Sequence, residues 1–192
     1  MGVGVICRVF VALSVVLAAG CGESDEQGDR AGQVTFRGIA SVRLAAPRNE
    51  QEAAYLGVPS DGPEFKLTDV KSPVLLVQLF DMYCNNCQRD APEVNRFYEL
   101  AQAAGLKDRV RFVGIGKNNT EIEVGIYRDR YRVLFPLLAD PHKTNTKLLG
   151  IDRTPTFIIV DLDGKKVVHQ QWGIGSVETL LGKLKTAAKL SL

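Results

Sequence analysis

The feature that most constrains this chain is an apolar run that is followed closely by two cysteines. Val74–Phe80 contains one polar residue, Gln78, and therefore predicts a strand that is covered on both faces of a sheet. Cys84 and Cys87 come next, with two residues between them, and a helical pattern begins at the first cysteine. A pair of cysteines at this spacing, between a buried strand and a helix, indicates redox chemistry.

The helix that begins near Cys84 gives the two cysteines different predicted roles. Its apolar positions recur on one face, and Gly105 ends the pattern. The free N–H groups and partial positive charge at a helix N-terminus stabilise a thiolate, so Cys84 is the predicted nucleophile. Cys87 lies one turn further along, where we expect it to be more buried and to resolve a mixed disulfide on Cys84.

The rest of the chain alternates between strand and helix patterns. Further strands are predicted at residues 34–44 (with a break at Gly38), 110–116, 135–138, 156–161 and 165–172. Further helices are predicted to begin near Asn49, Thr120 and Ser176, with a short one inside residues 143–149. Asp163-Gly164 predicts a hairpin turn. This order indicates an α/β domain with a mixed central sheet and helices on both faces.

Residues 1–20 predict an export signal. One positive side chain, Arg8, precedes an apolar run at 9–19 that is shorter than the roughly 20 residues of a membrane span. Residues 17–21, LAAGC, resemble a bacterial lipoprotein signal, which implies that Cys21 receives lipid and becomes the mature N-terminus. An ordinary cleaved signal and an uncleaved anchor are the alternatives. All three place the remainder outside the cytoplasm, where disulfide chemistry is permitted.

The predicted division of the chain follows from this signal. Residues 1–20 form the signal peptide, and residues 21–33 are polar and glycine-containing, which is typical of a flexible tether. Residues 34–192 form one domain. We expect the mature protein to be a lipid-anchored monomer in the periplasm or on the outer side of a bacterial cell envelope.

The composition removes several classes of function. The formal net charge of +2 offers no electrostatic basis for binding nucleic acid. Four cysteines are too few for a disulfide scaffold. The two histidines, His142 and His169, do not stand at zinc-finger spacing from Cys84 and Cys87, so no structural zinc site is expected. Because two thiols exchange electrons by themselves, we expect neither a metal nor an organic cofactor.

The segment around the cysteines resembles a known family. FDMYCNNCQRDAPEVNRFY, at residues 80–98, is similar to the active-site segment of thioredoxin-fold proteins, especially the membrane-anchored TlpA/ResA-like thiol–disulfide oxidoreductases. Pro92 matches the proline that kinks the first helix of that family. Asp90, three residues after Cys87, matches an acidic residue that is frequent in this subgroup. A role for Asp90 in proton transfer competes with a simpler one, a favourable charge in the first turn of the helix.

The resemblance extends over about residues 65–190. Arg153-Thr154-Pro155-Thr156 resembles the cis-proline loop that faces the cysteines in this family and pairs with the substrate backbone. Residues 117–140 look like the strand–helix insertion that precedes that loop and separates the subgroup from minimal thioredoxins. The implied fold is therefore thioredoxin-like. The resemblance implies four catalytic residues, which are Cys84, Cys87, Asp90 and Pro155. It also implies four residues that contact the substrate, which are Thr154, Tyr83, Asn85 and Asn86.

The chain also departs from the family pattern. Tyr83 stands where the family usually has tryptophan, and Gln78 stands where thioredoxin has a buried acid. Asn85-Asn86, between the cysteines, contains no proline. These departures leave the redox potential and the choice of partner open.

The implied function is that of an exported protein-disulfide oxidoreductase, acting as a disulfide reductase. Its substrates would be the thiols and disulfides of exported proteins, and a membrane or periplasmic redox partner would restore the dithiol. One alternative is a non-enzymatic module that uses the two thiols for metal delivery or cytochrome assembly. A peroxiredoxin-like peroxidase is the other alternative, although such enzymes place threonine three residues before the reactive cysteine, where this chain has Asp81.

Overall fold

The computed structural model describes residues 1–2 and 32–188, and its strands form one large and one small sheet. The strands are β1 (Arg43–Ala45), β2 (Glu64–Lys66), β3 (Val74–Phe80), β4 (Val110–Lys117), β5 (Leu137–Asp140), β6 (Thr156–Asp161) and β7 (Lys166–Trp172). The large sheet has the order β5-β4-β3-β6-β7. Strands β3, β4 and β5 run parallel, whereas β6 and β7 run antiparallel to their neighbours. Strands β1 and β2 form a separate antiparallel pair.

Helices cover both faces of the large sheet. They are α1 (Phe36–Ser41), α2 (Glu50–Leu56), α3 (Asn85–Ala103), α4 (Glu121–Tyr131), α5 (Thr144–Leu148) and α6 (Val177–Ala187). Helices α3, α4 and α6 contribute to the core on one face, and α1 and α2 contribute to the core on the other. The predicted mixed sheet with helices on both faces is confirmed. No helix within the described residues has both the length and the apolar character needed to cross a membrane.

The central strand β3 explains the apolar run in the sequence. All seven of its residues are buried, and their side chains alternate between the two cores. Leu75, Val77 and Leu79 belong to the core beneath α1 and α2. Gln78 is only 2% exposed and falls on the opposite face, the one that α3 covers. The polar residue in the run therefore lies on the same face as the helix that carries the cysteines.

Local capping signals placed several helices correctly. The Asn49 side chain accepts a hydrogen bond from the Glu52 N–H, and Gly57, with φ of 67°, ends α2. At the start of α4, Thr120 and Glu123 form the predicted capping box. In each case a side chain satisfies backbone groups that the helix leaves free, so the boundary can be recognised from sequence.

Two predicted strands were wrong or displaced. Residues 34–44 form α1 followed by β1, not one strand, because Thr35 caps a helix by accepting from the Gly38 N–H and the helix buries Ile39 completely. Ile39 lies outside the alternating pattern on which the strand prediction depended. Strand β5 begins at Leu137, later than predicted, since Pro136 has no N–H to donate to a neighbouring strand.

Part of the predicted organisation lies outside the described residues. Residues 3–31 include Cys21 and most of the predicted signal peptide and tether, and residues 189–192 belong to the predicted domain.

Candidate active site

The two cysteines lie where β3 leads into α3. Cys84 is the N-cap residue of α3, and its sulfur accepts a hydrogen bond from the Cys87 N–H at 3.4 Å. Both cysteines are free thiols. Cys84 is partly exposed, whereas Cys87 is fully buried in the core on the α3 face. A disulfide substrate can therefore approach Cys84 but not Cys87.

The surroundings push the pKa values of the two thiols in opposite directions. Partial burial raises the pKa of Cys84, but hydrogen bonds from the Thr154 side chain, the Cys87 thiol and the backbone N–H groups of Cys87 and Asn86 outweigh it. The pKa of Cys84 therefore lies below its ordinary value. Burial raises the pKa of Cys87 far above the usual range, and the interaction with Cys84 raises it further. The thiolate consequently forms at the exposed sulfur.

The loop before β6 brings Thr154 and Pro155 to the dithiol. The Cys84 thiol donates a hydrogen bond to the Thr154 carbonyl oxygen at 3.3 Å, although the two residues are 70 positions apart. The Thr154–Pro155 peptide bond is cis, as the resemblance implied. The Thr156 hydroxyl donates to the Arg153 carbonyl at 2.7 Å and closes the loop. The structure thus places the loop and the cysteines side by side.

Trp172 also reaches this loop; from the sequence we expect only a core or sheet-end aromatic at this position, and not this contact. Its indole N–H donates to the Thr154 carbonyl oxygen at 3.3 Å, and the Arg153 guanidinium lies 4.5 Å from the centre of its ring. The residue is the last of β7 and is 52% exposed. Its sequence neighbours carry no motif that would have identified this contact.

Asp90 lies one turn beyond Cys87 on α3 and is largely covered, with 11% of its side chain exposed. One carboxylate oxygen accepts from the Arg89 side chain at 3.2 Å, and the other accepts from the Ile174 N–H at 3.4 Å. The carboxylate thus ties α3 to the segment between β7 and α6. Its hydrogen bonds are to these two residues and not to a sulfur.

Residues 117–140 support the segment that carries the cysteines, residues 81–87, which we call the cysteine turn. Asn119 is fully buried; its side-chain oxygen accepts from the Met82 N–H at 2.9 Å, and its amide donates to Asp81 at 3.2 Å. The buried Tyr127 hydroxyl donates to the Cys87 carbonyl at 2.9 Å. These bonds join residues 37 to 40 positions apart, and no local pattern in the sequence reveals them.

The predicted substrate contacts next to the cysteines lie at the surface. Tyr83 is 65% exposed, and its hydroxyl donates to Glu123 at 2.7 Å, which connects the cysteine turn to the start of α4. Asn85 is exposed and Asn86 is half-buried. Among the described residues, no group of three histidine, cysteine or acidic side chains is arranged to hold a metal ion.

Comparisons with known proteins agree with this geometry. The sequence matches the Redoxin family over residues 27–185. It is 27% identical over 154 residues to the thiol–disulfide oxidoreductase ResA of Bacillus thuringiensis, covering 80% of this chain and 86% of the relative. Among solved structures, it is similar to a putative thiol:disulfide interchange protein DsbE from Chlorobium tepidum (TM-score 0.60, 18% identity, 83% of this chain and 98% of the other).

A second solved structure supports the same fold. StoA from Bacillus subtilis aligns with a TM-score of 0.55 and 15% identity, over 76% of this chain and 98% of StoA. The predicted thioredoxin-like fold and the predicted resemblance to TlpA/ResA-like thiol–disulfide oxidoreductases are therefore confirmed.

Proposed function

Because the chain belongs to the Redoxin family, we propose that it reduces disulfides of exported proteins through Cys84 and Cys87, outside the cytoplasm. Its ResA relatives are thiol–disulfide oxidoreductases, and the enzyme class of this chain, protein-disulfide oxidoreductase, follows from them. The observation that carries the assignment of roles is the contrast between the two sulfurs. Cys84 is accessible and has a lowered pKa, whereas Cys87 is buried and has a raised pKa.

The proposed reaction starts at Cys84. Its thiolate attacks one sulfur of the substrate disulfide, that S–S bond breaks, and the departing substrate sulfur takes up a proton. Cys87 then loses its proton and attacks the Cys84 sulfur. The bond between Cys84 and the substrate breaks, the second substrate sulfur leaves and takes up a proton, and a Cys84–Cys87 disulfide forms. The substrate disulfide is thereby reduced by two electrons, and the dithiol is oxidised by two. The exposed sulfur thus receives the substrate, and the buried one releases it.

The raised pKa of Cys87 means that the second step needs a proton acceptor. Asp90 is the proposed acceptor, because it lies one turn along α3 and is mostly shielded from solvent. Thr154, Pro155, Tyr83, Asn85 and Asn86 are the proposed contacts for the substrate around Cys84. Of these, the Thr154 carbonyl already accepts a hydrogen bond from the Cys84 thiol.

The cellular setting is proposed from the N-terminal sequence. Residues 1–20 direct export, Cys21 carries lipid, residues 21–33 form a tether, and the domain beyond works as a monomer on the outer side of the membrane. A second redox protein in the membrane or periplasm restores the dithiol, since one reduced pair turns over only once without it.

Trapping experiments test the proposed roles. Cys87→Ser should accumulate mixed disulfides between Cys84 and exported proteins, since nothing resolves them. Cys84→Ser is the matched control and should trap none, because the remaining thiol is buried. Equal trapping by both variants, or by neither, would contradict the assignment. Metal analysis of the reduced protein checks the alternative of a metal-delivery module, which predicts a bound metal ion at the two thiols.

A further inference from the structure

One side chain at the dithiol has no part in the reaction described so far. Trp172 is the only tryptophan in the chain, and it stands at the end of β7 with half of its surface exposed. Its one polar atom is nevertheless directed to the Thr154 carbonyl, at 3.3 Å. An exposed aromatic ring at a sheet end requires no such contact, because water would satisfy the indole N–H equally well.

The Thr154 carbonyl is the same group that accepts the Cys84 thiol hydrogen at 3.3 Å. A carbonyl oxygen that accepts from S–H stabilises the thiol form, and its partial negative charge repels a thiolate. A second donor on that oxygen withdraws electron density and occupies one of its two lone pairs. The carbonyl then becomes a poorer acceptor for Cys84 and a less repulsive neighbour for its thiolate.

Two contacts hold the indole in place. The Arg153 guanidinium stacks 4.5 Å from the ring centre, and Trp172 pairs with Thr156 in the antiparallel register of β6 and β7. Immediately after the strand, the Gly173 N–H donates to the Pro155 carbonyl at 2.8 Å. The pairing of β7 with β6, the stacking on Arg153 and the bond to the Pro155 loop together fix the direction of the indole N–H bond.

We propose that Trp172 is a positioning residue of the dithiol, which acts through the Thr154 carbonyl to favour the nucleophilic form of Cys84. The proposal deepens the proposed function and rests on it for its biological meaning. It places the control of Cys84 partly on β7, one of the two edge strands of the large sheet, and not only at the start of α3. The neighbouring titratable or charged groups that act on the same region are Cys87 and Asp90 from α3, Arg153 from the loop before β6, Tyr83 beside Cys84, and Glu123 and Tyr127 from α4.

The first test measures the reactivity of Cys84 in the full chain. Alkylation by iodoacetamide is followed as a function of pH, and modification of the Cys84 peptide is quantified by mass spectrometry. Trp172→Phe removes the N–H and keeps a ring over Arg153. We expect it to slow alkylation at pH 7 by about threefold, the size of a weak net hydrogen bond, and to move the pH profile upward.

Gln170→Leu is the matched control. Gln170 lies on the same strand, but its side chain bonds to Gly32 and Val34 and not to Thr154. It should leave the alkylation profile of Cys84 unchanged. An unchanged profile in Trp172→Phe, or an equal change in Gln170→Leu, would overturn the proposal.

The second test uses the unaltered chain and so does not depend on how a variant folds. Because there is a single tryptophan, its indole N–H gives one assignable cross-peak in a ¹⁵N NMR spectrum. That peak should shift with pH at the midpoint found for Cys84 alkylation, and the shift should vanish in Cys84→Ser. A peak that ignores the titration of Cys84 would overturn the proposal. Neither test uses a protein substrate, so a failure of the proposed reductase function would leave both results intact.

Discussion

Replacing Tyr127 with phenylalanine removes a single oxygen from the support of the cysteine turn. The hydroxyl is buried and donates to the Cys87 carbonyl at 2.9 Å. The centre of the Tyr127 ring lies 4.6 Å from that of Phe80 and 4.7 Å from that of Tyr131. Phenylalanine keeps the ring contacts. Because the Cys87 carbonyl lies inside α3 and retains its helical acceptor role, the loss should be that of one net hydrogen bond, about 1 kcal/mol of unfolding free energy.

The pH dependence of this loss follows from the pKa of Tyr127. Burial raises the pKa of the hydroxyl above its ordinary value of 10.0, and Cys87 and Tyr131 add to the effect. A group whose pKa is raised on folding contributes its stability below the unfolded pKa and loses it as pH rises further. The difference between the wild type and Tyr127→Phe should therefore be constant from pH 6 to 9 and should shrink above about pH 10.

Urea unfolding of the reduced protein at several pH values measures this effect. The urea titration gives the free energy of unfolding. In thermal unfolding, the same loss of about 1 kcal/mol should lower the melting temperature of a domain of this size by about 2–4 °C. Tyr131→Phe is the matched control, since it removes the same atom from a half-buried ring on the same helix. An unchanged unfolding free energy in Tyr127→Phe would refute the reasoning, because the hydroxyl would then contribute nothing to stability. A loss as large as about 3 kcal/mol would also refute it, because the hydroxyl would then belong to a larger network.

Asn119→Ala leaves the Met82 N–H without its buried partner, so it should lower the unfolding free energy by about 1–3 kcal/mol in denaturant titrations. Asp90→Asn should slow release of the substrate from a Cys84 mixed disulfide and alter the pH dependence of that step in stopped-flow kinetics; an unchanged profile would leave Asp90 as a structural tie to Ile174. Asn86→Pro removes a backbone donor to Cys84, so it should raise the pKa of that thiol and lower the reduction potential, which we expect in the wild type to lie between about −270 and −120 mV. Cys21→Ser should move the protein from the membrane fraction to the soluble fraction, unless mass spectrometry finds a mature N-terminus without lipid elsewhere.

Features with a local cause could be predicted from the sequence. The run at β3 has to be buried on both faces, and the Thr120–Glu123 box satisfies its own helix terminus, so both appear in the structure where they were expected. The contrast between Cys84 and Cys87 also has a local origin, since it follows from their places at the end and one turn inside a helix.

Features that depend on distant contacts could not be predicted in this way. Trp172 meets Thr154 through the register of two strands, and Asn119 meets Met82 through the stacking of a loop on the cysteine turn. Neither residue has a neighbouring pattern that marks its role. Residues 34–44 failed for a different reason, because a short helix followed by a short strand can imitate the alternation of one longer strand.

The hydrogen bonds from Asn119 and Tyr127 change how residues 117–140 can be treated in protein engineering. By length and position the segment looks like a detachable module, and a minimal version of the protein would omit it. Its removal would expose the Met82 N–H and the Cys87 carbonyl together, and both lie within the turn that carries the reactive sulfurs. A miniaturised variant would therefore need replacement donors and acceptors for that turn, and a chimaera that exchanges the segment between relatives should carry over both residues with it.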